Sequence, residues 1–201
     1  MKFRDIPHFR PPNYRANVSW SYLEEMLASY DEIDPKADLN PDFQRGHVWT
    51  PKQKTAYIEF ILLGGVSGRD IYWNCPGWMG NFDGPFVLVD GKQRLNAVLE
   101  FKAGKVPIFG GHFFDEFEDK LSHEVGFVFH VNDLKSRADL LRWYLALNTG
   151  GTIHTPEEIA KVQKLLEIEA CKTINKIVKL DKRTKNQTRG YLNAIMGEKG
   201  K

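Results

Sequence analysis

The sequence predicts a mixed α/β or α+β domain built on a small sheet. Three observations lead there. Short apolar runs near Arg69–Trp73, at Phe86–Val89 (FVLV) and in GFVFHV read as strands. They alternate with longer segments whose apolar residues recur with helical spacing. The strands are too few and too short for a doubly wound sheet or a TIM barrel.

The elements follow in chain order. PHFRPPNYRANV reads as irregular, because Pro7, Pro11 and Pro12 oppose regular structure. SYLEEMLASY reads as a helix, with Ser21 and Glu24 as a capping box and Leu23, Met26, Leu27 and Tyr30 on one face. NPDFQRGHVW is extended or turning. Thr50-Pro51-Lys52-Gln53 opens a second helix with threonine at N-cap, proline at N1 and glutamine at N3. Gly64-Gly65 closes it. NCPGWMGNFDGP is a loop, and the unbroken FVLV after it suggests a strand buried on both faces. Gln93–Lys102 is a helix, Val106–Phe109 a short strand, GFVFHV a clear strand and Ser136–Leu147 a helix. Thr155-Pro156-Glu157-Glu158 opens the last helix, whose apolar positions run through Ile168. The expected organisation is an irregular arm at 1–18, the domain at 19–170 and a basic C-terminal extension at 171–201.

Composition narrows the function. No apolar run approaches the roughly 20 residues that span a bilayer, and MKFRDIPHFRPPNY lacks the apolar core of a signal peptide. A cytoplasmic protein with no membrane partner is expected. Cys75 and Cys171 have no metal-site spacing and read as two reduced thiols. Residues 160–201 hold 11 Lys and Arg against 4 Asp and Glu, whereas residues 1–159 hold 17 against 22. The basic stretch LDKRTKNQTRGY makes Lys182, Arg183, Lys185 and Arg189 candidate DNA contacts. A solvated helix face is the plainer alternative.

Three segments carry chemistry. In Asp90-Gly91-Lys92-Gln93-Arg94, a glycine between strand and helix lets the backbone turn and approach a ligand. The following helix start offers free N–H donors and a partial positive charge, which suits an anion. Arg94 can grip phosphate bidentately, Lys92 can add a point charge, and Gln93 can position phosphate or water. Asp90 can hold a metal such as Mg²⁺, orient a water or cap the helix. In Phe43-Gln44-Arg45-Gly46-His47-Val48-Trp49, Arg45 offers a second phosphate contact and Trp49 an anchor to the core. In Asn148-Thr149-Gly150-Gly151, Asn148 can reach a ligand or cap a helix. Each segment alone also fits a structural corner with solvated polar groups.

The three in order resemble one family: QR-x-x-x-W, then DGQQR, then an N-x-G-G segment before a helix. It is the N-terminal domain of GmrSD-type restriction endonucleases, and the match spans about Ser19 to Leu166. The resemblance implies an α+β fold of the ParB/sulfiredoxin type, a small mixed sheet surrounded by helices. It also implies nucleotide binding and NTP hydrolysis at the DGQQR positions Asp90, Gly91, Lys92, Gln93 and Arg94, with Gln44 and Arg45 facing them. Lys92 stands where the family usually has glutamine, which adds a cation beside the implied phosphate. No His-Asn-His constellation is visible among the six histidines. The expectation is therefore a stand-alone member, phage- or operon-encoded, that hydrolyses NTP or has weak nuclease activity. Its expected partners are DNA, a separate nuclease chain or a host protein. Non-catalytic DNA binding and capture of a protein partner are the competing readings.

Overall fold

The computed structural model describes residues 14–32, 36–46, 48–81, 83–148 and 155–197, with side chains of the last helix described to 179. His47, 149–154 and the side chains of Lys182, Arg183, Lys185 and Arg189 lie outside the described residues. The chain divides into two units, Met1–His154 and Thr155–Lys201.

The first unit is α+β. Its strands are β1 (Tyr14–Ser19), β2 (Asp70–Asn74), β3 (Val87–Asp90) and β4 (Gly126–Asn132). Its helices are α1 (Leu23–Asp31), α2 (Pro51–Leu62), α3 (Lys92–Lys102) and α4 (Arg137–Asn148). The sheet is mixed, in the order β1-β4-β2-β3. β1 and β4 are antiparallel, β4 and β2 parallel, β2 and β3 antiparallel with a register shift between Tyr72 and Trp73. One sheet face is core: Phe127, Phe129, Val131, Ile71, Trp73 and Leu88 are buried there. Leu23 and Tyr30 of α1, Ile58 and Ile61 of α2, and Leu95, Val98 and Phe101 of α3 join the same cluster. Alternation along β4, with 127, 129 and 131 buried and 128 and 130 only partly, marks this division. α4 contacts β3, and its Trp143 meets Tyr72 edge-on, with ring centroids 6.2 Å apart.

Local signals account for most of these elements. Thr50 accepts from Gln53 N and the Gln53 side chain accepts from Thr50 N, the reciprocal capping box expected from TPKQ. Thr155 and Glu158 repeat it at the start of α5 (Pro156–Gly197), the helix of the second unit. Three expectations change. The end of the stretch read as irregular, residues 14–18, belongs to strand β1, because all six residues of that strand pair with β4. α1 starts at Leu23 rather than at Ser21, since Ser19 caps a 3₁₀ turn, Trp20–Tyr22, ahead of it. Val106–Phe109 forms no strand but contributes one isolated bridge, Ile108 to His112.

Cys75 is fully buried, and burial pushes its thiol up to about 11. Cys171 is exposed, and both are free thiols. Among the described residues, no helix is long and apolar enough to cross a membrane.

Candidate functional site

β3 ends at Asp90, and α3 begins at Lys92. Gly91 between them has φ 100° and serves as N-cap without a side-chain oxygen. A Cβ there would sit 2.4 Å from Ile71 Cδ1 and 3.3 Å from Ile71 Cα. The corner therefore requires glycine twice over, for its dihedral and for its closeness to β2.

An open cleft lies at this corner. It is lined by Gln44, Arg45, Trp49, Val89, Tyr144 and Asn148 together with all five residues Asp90–Arg94. The structure thus brings together every expected site residue of the first unit. Two of the predicted segments meet through side-chain-to-backbone hydrogen bonds. Gln93 Oε1 accepts from Val48 N at 3.0 Å and from Trp49 N at 3.3 Å, and Gln93 Nε2 donates to Gly46 O at 2.9 Å. Lys92 Nζ donates to Arg45 O at 3.1 Å. Gln44 Nε2 donates to Leu88 O on β3. Arg137 at the start of α4 holds Asp42 with bonds of 2.6 and 2.7 Å. Asn148 Nδ2 donates to Tyr144 O at 2.7 Å, and Tyr144 packs on Phe43 with ring centroids 4.9 Å apart.

Arg94 and Asp90 pair at the cleft. Arg94 Nη2 donates to Asp90 Oδ2 at 2.8 Å, the side chains being 23% and 41% exposed, so Asp90 keeps access to solvent. Arg94 Nε is buried and makes no hydrogen bond. A buried donor without a partner carries a desolvation cost of about 1–3 kcal/mol. Tyr57 braces this side: its hydroxyl donates to Gly68 O at 2.7 Å and its ring meets Trp49 edge-on at 5.2 Å. Burial drives the Tyr57 phenol well above its ordinary pKa, although the neighbouring Arg94 and Arg69 cations pull the other way.

Sequence reading missed a second polar group beside the cleft. On the sheet face opposite the core, Arg15, His130, Tyr72 and Asp90 stand in one cross-strand row. His130 Nε2 lies 2.6 Å from Asp70 Oδ1, and the His130 and Tyr72 rings stack at 4.7 Å with 14° between their planes. Burial, and after it the Asp70 and Asp90 charges, raise the Tyr72 pKa. The alternation in DIYW and FHV places these side chains on one face, which was the available signal.

Asp90 is the one acid among the described residues lining the cleft, and no group of three or more His, Cys, Asp or Glu that could hold a metal occurs among the described residues. That donor set does not make a protein cage. It fits Mg²⁺ in the way Mg²⁺ is usually held, by one or two carboxylates plus the oxygens of a bound phosphate.

A strand, a left-handed glycine and a helix N-terminus meet at a cleft lined by two arginines and a lysine. The family model for the GmrSD restriction endonuclease, N-terminal domain, matches residues 23–195, and the chain belongs to that family. No curated protein and no solved structure matches it.

Proposed function

We propose that the domain binds a nucleoside triphosphate at the Asp90–Arg94 corner and hydrolyses it, in the service of a restriction-type system acting on DNA. The observation that carries the reading is the convergence of Arg45, Lys92 and Arg94 on the N-terminus of α3, with Asp90 beside them. Backbone N–H groups and three cations suit the charge of a polyphosphate. Arg94 neutralises charge that builds up during transfer, and Asp90 orients the attacking water or holds Mg²⁺. Bound Mg²⁺ would supply further neutralisation of the phosphate oxygens. Gln93 serves the site by holding Gly46–Trp49 against α3. The ParB/sulfiredoxin likeness belongs to the same reading. So do DNA contacts from Lys182, Arg183, Lys185 and Arg189 and a separate nuclease or host protein as partner; membership of a restriction-endonuclease family supports DNA as a partner.

The test is phosphate release from a panel of triphosphates with Mg²⁺, with and without DNA. Asp90→Ala and Arg94→Ala are expected to lower the rate by about two orders of magnitude or more, the usual scale for losing a group that stabilises the transition state. Normal release by folded Asp90→Ala protein would remove Asp90 from the reaction.

A further inference from the structure

We propose that the row Asp90–Tyr72–His130–Arg15 is a nucleoside subsite that adjoins the cleft at Asp90, so that a nucleoside polyphosphate lies across the strands with its phosphates at α3. The proposal rests on the triphosphate reading above and adds which end of the ligand the sheet face recognises.

The register makes the row continuous. Asp90 pairs with Tyr72, Tyr72 with His130 and His130 with Arg15, across β3, β2, β4 and β1. Three strand spacings put its ends about 14 Å apart, a span that suits an extended nucleotide. The content of the row also suits one. A base has a flat π-face, and ribose has hydroxyls that need acceptors. Tyr72 and His130 form a stacked ring pair, and Trp143 fixes Tyr72 from a third direction at 82°. Aromatic platforms of this kind bind bases with little dependence on base identity. Asp70 is 46% exposed while its Oδ1 engages His130, so the carboxylate remains open to a sugar hydroxyl. Arg15, on the edge strand, is exposed at the far end.

Inorganic tripolyphosphate separates this subsite from the phosphate corner. Binding of Mg²⁺-nucleoside triphosphate and of Mg²⁺-tripolyphosphate is measured for the wild type, His130→Ala, Tyr72→Leu and Asp70→Asn. The wild type is expected to bind the nucleotide more tightly than tripolyphosphate. His130→Ala and Tyr72→Leu should each weaken the nucleotide about tenfold, the scale of one lost base–aromatic stack, and leave tripolyphosphate unchanged. Retained tripolyphosphate binding also shows that the variants fold. Asp70→Asn should narrow the preference for ribo- over 2′-deoxyribonucleotides. Equal binding of nucleotide and tripolyphosphate by the wild type overturns the subsite while leaving the phosphate corner standing. Variants that bind the nucleotide normally do the same. A wild type that binds neither ligand overturns both readings. Binding of a single-stranded oligonucleotide without any mononucleotide overturns the assignment to a free nucleotide.

Discussion

Gly91→Ala is expected to destabilise the domain more than Gly64→Ala, although the two glycines have nearly the same positive φ, 100° and 94°. Gly64 closes α2, and a methyl group added to it would meet nothing within 4 Å, so alanine there carries only the dihedral strain. That strain is about 1–2 kcal/mol. At Gly91 the methyl also runs into Ile71, which is fully buried in the core and has little room to turn away. Overpacking of this kind adds about 1–3 kcal/mol. Against a total stability of about 5–15 kcal/mol for a typical domain, the difference is large enough to read from denaturant midpoints. A rescue isolates its cause. Ile71→Val removes the Cδ1 atom nearest the clash and alone costs about 0.5–1.5 kcal/mol. Combined with Gly91→Ala it should cost less than the sum of the two. Strict additivity would place the strain elsewhere.

Gln93→Ala is expected to abolish most activity through a loss of order on the far side of the cleft. The side chain makes three hydrogen bonds to the backbone at Gly46, Val48 and Trp49. Their removal costs about 1–3 kcal/mol in stability, at roughly 1 kcal/mol for a typical bond and discounted for exposure. Gly46, Val48 and Trp49 lose these bonds to α3 with it, whereas Arg45 keeps the bond from Lys92 to its carbonyl. Trp49 is the reporter: its assigned indole N–H resonance, one of five tryptophan signals, should shift in the ligand-free Gln93→Ala protein. A glutamine that acted only on water or phosphate would leave that signal unchanged. Gln93→Glu should fall between, because a carboxylate still accepts from Val48 N and Trp49 N but faces the Gly46 carbonyl with a second acceptor. A ligand-free Trp49 signal identical to wild type in both variants would exclude the clamp.

What sequence could and could not show divides along the range of the interactions. Thr50 with Gln53 and Thr155 with Glu158 were readable because a capping box closes within four residues. Gly91 was readable because a strand and a helix met there with no other turn residue between them. β1 was not, because its pairing partner β4 lies more than a hundred residues away and its own six residues carry only a faint alternation. Gln93 shows the same limit at the site. Its position among charged neighbours suggested phosphate, whereas its amide is engaged by a loop 44 to 47 residues earlier in the chain. The His130–Asp70 pair escaped notice for the reason that isolated histidines and acids are common, and only the β2–β4 register brings these two together.

The most direct measurement is an equilibrium titration of the wild type and Arg94→Ala with Mg²⁺-nucleoside triphosphates. The account predicts saturable binding by the wild type and its loss in Arg94→Ala, with the fold of both intact by circular dichroism. Folded wild type that binds no triphosphate, or an Arg94→Ala protein that binds as well as wild type, would contradict it.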